Sequence, residues 1–180
     1  MTSPEPTLPA SILSRPAPLL GPTAASSLLV GGTCLVGGLN AWSAWHRLAV
    51  GADYTAGVPG IWVADLTSAE ATGRTVATVY LLAMTAAALT LLVWLSRIRG
   101  NARLLGAKRS RRWSWVLGVW FTSCALAVVL LYLGRGGVAL ADLRVLALAD
   151  TASAALQCAA GAVVVVVIRR VTRWQALPSA

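Results

Sequence analysis

Long stretches without a charged residue alternate with short polar ones along this chain. The uncharged windows are 16–46, 75–96, 113–134 and 151–168, with 31, 22, 22 and 18 residues. A helix crossing the roughly 30 Å hydrocarbon of a bilayer needs about 20 mostly apolar residues at about 1.5 Å each. Backbone groups in lipid must pair within their own segment, so runs of this length predict helices. The pattern therefore predicts an all-α fold, a polytopic membrane protein built as a bundle of four transmembrane helices. The spans are expected at about 24–47, 74–98, 112–134 and 148–170.

Punctuation between the windows refines the ends. Thr67-Ser68-Ala69-Glu70 matches a capping box and predicts that the second helix starts near residue 68. It is expected to run to about 104, with Gly106 as its stop. The fourth helix is expected to start early, near Leu140. Residues 48–66 carry Gly51, Gly57, Pro59 and Gly60 and read as a loop. Residues 1–24 are rich in Pro, Ser and Thr and read as a disordered tail. That tail lacks the basic start of a signal peptide. Residues 25–175 form the membrane domain and 176–180 a short C-terminal tail.

Composition agrees. The chain is 57% hydrophobic and 12% charged, where soluble domains average about 25% charged. The net charge is +9, and its placement explains it. Seven of the fifteen basic residues lie between spans two and three: Arg97, Arg99, Arg103, Lys108, Arg109, Arg111 and Arg112. Arg15, Arg169, Arg170 and Arg173 belong to the same face. Asp53, Asp65, Glu70, Asp142 and Asp150 fall on the other, beside Arg47, Arg74, Arg135 and Arg144. Basic residues collect on the cytoplasmic side, so both termini are expected there, in a cell membrane. Such a cluster also suits anionic lipid headgroups, at about 1 kcal/mol per basic residue near the surface. Nucleic acid is not an expected partner, since the stretch has no fold to read it.

Tryptophans sit where interface belts are expected, Trp94, Trp113, Trp115 and Trp174 at one level and Trp42 and Trp45 at the other, with Trp120 deeper and packed. Small residues at Ser27, Gly31, Cys34, Gly38 and Ala41 form one stripe of the first helix. Such stripes let helices approach closely in lipid, within the bundle or in a homo-oligomer or with another membrane protein.

Candidate chemistry is sparse. His46 is the single histidine, and Cys34, Cys124 and Cys158 are far apart in sequence with no metal-ligand spacing. No catalytic, metal or cofactor constellation is read, so an enzyme is not expected. One polar intramembrane face stands out: Asp150, Ser153 and Gln157 on the fourth helix, with Asn40 on the first and Tyr80 on the second. Its functional reading is an externally open pocket in a small transporter or channel component. Its bland reading, an interfacial acid near a helix start, is favoured because no second carboxylate joins it.

The central stretch also resembles a family. Trp94, Arg97 and Asn101, followed by Leu105 and Gly106, match a motif of the four-span bacterial membrane proteins catalogued as domain of unknown function 4328. Gly118, Trp120 and Phe121 match a motif of its next span, and Arg169, Arg170, Thr172 and Gln175 one at the end of its last. The resemblance implies a fold and a membrane location, not an activity. That family has a proline soon after the Trp-Phe pair, where this chain has Thr122, Ser123, Cys124 and Ala125. A packing, scaffolding or sensing role is the leading expectation.

Overall fold

The computed structural model describes residues 18–104, 114–133 and 140–176. It contains four helices: α1 (Leu20–Thr55), α2 (Val63–Leu104), α3 (Ser114–Leu133) and α4 (Leu140–Ala176). Helices α1, α2 and α4 are long and apolar enough to cross a membrane, and α3 holds a shorter apolar stretch, Leu117–Leu130. The 20 residues of α3 rise about 30 Å, the thickness of the hydrocarbon. The 42 residues of α2 reach about 63 Å, so this helix stands well clear of the lipid. The chain is a multi-pass helical membrane protein.

α1 overruns its expected span at both ends. It begins at Leu20, inside the tail expected to be disordered. Pro22 falls in its first turn, where a missing amide hydrogen costs nothing. It then passes Gly51, which is buried, and ends at Thr55 rather than near residue 47. The stop is chemical. Gly57 adopts a φ of 69°, and its amide donates to the Tyr54 carbonyl at 3.1 Å while Val58 donates to Asp53 at 3.1 Å. That is a Schellman closure, which needs a left-handed residue and finds glycine.

The start of α2 corrects a second expectation. The cap lies at Trp62, not Thr67. The Trp62 amide donates to the Asp65 carboxylate at 2.7 Å, and the Asp65 amide donates back to the Trp62 carbonyl at 2.9 Å. Thr67 instead donates to the Ala64 carbonyl within the helix, and Glu70 pairs with Arg74. The acid at the third position of the helix won over the Ser/Thr signal that begins two residues later. Helix α2 is described as far as Leu104 and α4 from Leu140 on, and the residues just beyond each of these bounds lie outside the described residues. The tail before residue 18, the stop at Gly106, the glycines near 134–137 and the last four residues lie outside the described residues.

Helix α1 packs between α2 and α4, α3 packs on α4, and α2 touches α3 only slightly. Pro18 lies at Arg97 and Gly37 at Tyr80, while Thr23 meets Thr172 and Trp45 meets Thr151, so α1 runs antiparallel to α2 and to α4. Large apolar side chains face outward, Leu28 and Leu35 among them at 76% and 75% exposed. Lipid accepts them as readily as a protein core would.

The small-residue stripe of α1 holds in part: Ala41 is buried and Cys34 lies against Gly161 of α4, but its two glycines do not face the bundle. Gly31 and Gly38 face open space. The inward face carries Val30, Thr33, Gly37, Asn40 and Ala44. The close approaches occur at two other glycines. A Cβ at Gly37 would lie 3.3 Å from the Tyr80 ring, and one at Gly161 would lie 3.1 Å from Cys34 Sγ and from Val30. Trp94 is also corrected: it is 2% exposed and belongs to the core, not to a belt. Trp115 and Trp42 are exposed, as belt residues are, and Trp120 is fully buried. Trp113 and the Trp174 side chain lie outside the described residues.

Candidate functional site

Three levels stack inside the bundle. At mid-depth Gln157 of α4 is 0% exposed. Its side-chain carbonyl accepts from the Tyr80 hydroxyl of α2. Its amide nitrogen donates to Cys124 Sγ of α3 at 3.2 Å. Gly37 of α1 lies against both Tyr80 and Gln157. Four helices thus meet on one amide, because a buried polar group in lipid is costly unless paired. The other cysteines reach the same level. Cys158 Sγ donates to the Cys34 carbonyl at 3.8 Å, and Cys34 Sγ to the Gln157 backbone carbonyl at 4.0 Å. All three thiols are free.

Of the expected polar face, Asn40, Tyr80, Ser153 and Gln157 are buried and Asp150 is half-buried. Tyr80 and Gln157 are brought into contact. Asp150, Ser153 and Gln157 follow spacings of three and four, so they share one stripe of α4. The sequence reading missed Gly37, Cys124, Cys34 and Cys158. Their convergence follows from the antiparallel register of the helices, which no local spacing reveals.

Toward the Asp150 end the polar groups continue without partners. Ser153 Oγ is buried and makes no hydrogen bond. Asn40 is buried on α1, and its carbonyl accepts from Ser43. Arg47 of α1 and Asp150 of α4 flank the Trp45–Thr151 hydrogen bond, yet Glu70–Arg74 is the one ion pair among the described residues. Arg47 Nε is buried and unpartnered. Trp45 Nε1 donates to Thr151 Oγ1 at 2.9 Å and ties α1 to α4 beside this mouth.

Toward the other end the interior is largely apolar, although Ser26 Oγ, Ser27 Oγ and the indole nitrogens of Trp94 and Trp120 are also buried there without a hydrogen-bond partner. Val30, Leu91, Trp94, Trp120, Val164 and Ile168 form its centre. Phe121 meets Trp120 edge-on, with ring centroids 5.4 Å apart. Beyond them Asn101 and Thr172 are buried, and Thr172 pairs with Thr23 at 2.8 Å. Arg97 donates to the Pro18 carbonyl at 3.1 Å. Arg97, Arg99, Arg169, Arg170 and Arg173 are exposed at this one end. The Arg103 and Gln175 side chains, and Gly106, Lys108, Arg109, Arg111 and Arg112, lie outside the described residues. Among the described residues no group of three or more His, Cys, Asp or Glu could hold a metal ion. No family model, no curated protein and no solved structure matches the chain.

Proposed function

We propose that the chain is a non-enzymatic protein of the cell membrane, with both termini cytoplasmic, that packs, scaffolds or senses there and holds anionic lipid at its basic end. The observation that carries this reading is the gathering of Arg97, Arg99, Arg169, Arg170 and Arg173, all exposed, where α2 and α4 leave the apolar zone. Five more basic residues follow between Arg103 and Arg112 in the sequence. Anionic headgroups are attracted to such a surface by about 1 kcal/mol per residue. The test is the count of phosphatidylglycerol molecules retained by the purified protein in neutral detergent. Replacing Arg97, Arg99 and Arg103 with Gln lowers that count; an unchanged count removes the lipid reading. A Cys placed at Ser110 should react only from the cytoplasm, and labelling from outside overturns the orientation. Kinship with domain of unknown function 4328 rests on the motif residues alone, and the burial of Trp94, Asn101, Trp120 and Thr172 suits shared packing positions.

A second reading is a small oligomeric transporter or channel component. It is favoured by the stripe Asp150, Ser153 and Gln157, which runs from a half-buried acid to the buried Tyr80 contact. Asp150→Asn should abolish a solute or ion flux in proteoliposomes. Absence of flux from the unaltered protein ends this reading.

A further inference from the structure

We propose that the mouth formed by Asp150 and Arg47 binds a small zwitterion, its ammonium on the Asp150 carboxylate and its anionic group on the Arg47 guanidinium. The inference is independent of lipid at the basic end. It goes beyond the transport reading, because binding requires no flux.

Four observations lead to it. The two charges stand on α1 and α4, helices in contact, Arg47 two residues and Asp150 one residue from the Trp45–Thr151 hydrogen bond that joins them. They form no ion pair, since Glu70–Arg74 is the one pair among the described residues. Arg47 Nε is buried without an acceptor. Below them Ser153 is 5% exposed and its hydroxyl has no partner. An unpaired donor or acceptor in so dry a place is costly, and an uncompensated charge more so. The groups one level deeper show the contrast, for Tyr80, Gln157 and Cys124 satisfy one another.

The charge pattern selects the ligand class. A simple cation would meet Asp150 but be repelled by Arg47, and a simple anion would meet the reverse. A molecule with both charges a few bonds apart satisfies both groups at once. Arg47 presents planar, fork-like donors that suit a carboxylate or phosphate. Ser153, with Asn40 buried at the corresponding level of α1, supplies neutral hydrogen-bonding groups beneath the charges. The Trp45–Thr151 hydrogen bond holds α1 and α4 together at that height. The same chemistry comes from two sources, a free α-amino acid in water or an aminophospholipid headgroup from the leaflet.

The test uses the full chain in neutral maltoside micelles. Its probes are L-alanine and phosphatidylethanolamine, with methylammonium, acetate and phosphatidylglycerol as single-charge comparisons. Thermal unfolding reports the soluble probes, and native mass spectrometry counts bound lipid. At least one zwitterion should bind and raise the unfolding midpoint more than any single-charge probe. Binding by L-alanine assigns a water-borne solute, and binding by phosphatidylethanolamine alone assigns the headgroup. Asp150→Asn and Arg47→Gln should each weaken binding by about tenfold or more, since each removes a charge-assisted contact. Arg47→Lys should retain part of it. The proposal is overturned if neither zwitterion binds, if single-charge probes bind equally, or if both variants bind as the original does. The probe comparison uses the unaltered chain, so it decides the matter even where a variant fails to fold. A bound zwitterion without flux leaves the inference standing and ends the transport reading.

Discussion

The interior on one side of Gln157 and the interior on the other are built from different materials. Toward Asp150 lie Asn40, Ser43 and Ser153, all buried, and a charge on each of two helices. Toward the arginines lie Val30, Leu91, Trp94, Trp120, Val164 and Ile168. Packing alone does not require this split, because lipid gives no hydrophobic drive between helices and an apolar interior would serve throughout. The aromatic half closes the bundle with large, well-filled volume. Both halves hold buried polar atoms without a partner, on Ser26, Ser27, Trp94 and Trp120 toward the arginines and on Ser153 and Arg47 toward Asp150, but the second half adds a charge on each of two helices, and in the Gln157 layer between them the polar groups satisfy one another. The difference teaches where stability and where function are expected to reside.

The largest test of that comparison is in the aromatic half. Trp120→Ala removes a fully buried indole and should cost about 3–5 kcal/mol. Trp115→Ala, on an exposed indole of the same helix, should change stability by no more than about 0.5 kcal/mol. Denaturant titration in micelles, followed by helical circular dichroism, measures both. Equal losses at the two sites would mean that Trp120 does not fill a core.

Next in size is the boundary layer. Tyr80→Phe strands the Gln157 carbonyl oxygen, and Gln157→Leu strands the Tyr80 hydroxyl. Each should cost about 1–3 kcal/mol, the penalty of a buried polar group left unpaired. The double variant should lose less than the sum, since it strands neither group. The same unfolding titration gives the coupling. Additive losses would show that Tyr80 and Gln157 are neighbours without a shared bond.

These residues also mark how far the chain could be read. Charge-free windows locate hydrocarbon, and they found all four helices. They do not locate helix ends, because a helix continues into water until something stops it. Hence α1 runs on to Thr55 until Gly57 turns left-handed, and α2 begins at the Asp65 cap. The polar members Asn40, Tyr80, Ser153 and Gln157 were legible because polar residues inside a span are rare. Their partners were not. Cys124 resembles any small apolar residue in sequence, and its hydrogen bond to Gln157 exists only through helix register. The inward face of α1 was legible only in part, at Cys34 and Ala41 but not at Gly31 and Gly38, for a related reason. Small residues lie on both its faces, and lipid tolerates glycine as a protein neighbour does, so periodicity alone does not choose between them.

The adjacent glycines Gly37 and Gly38 turn that ambiguity into the smallest and sharpest test. A methyl at Gly37 would lie 3.3 Å from two atoms of Tyr80 and 3.5 Å from the Gln157 carbonyl oxygen, whereas nothing stands within 4 Å of one at Gly38. Alanine suits a helix better than glycine by about 1 kcal/mol. Gly38→Ala should therefore stabilise the protein by a few tenths to about 1 kcal/mol. At Gly37 the same gain is opposed by contact with a buried ring held by its own hydrogen bond. The ring has little room to shift, so Gly37→Ala should come out destabilising by about 1 kcal/mol. Unfolding midpoints compared in one detergent read the sign directly. Opposite signs at neighbouring positions assign the inward face of α1 to the side of Tyr80 and Gln157. The reverse pair of signs would return it to Gly31 and Gly38, and with it would go the contact between α1 and the polar layer.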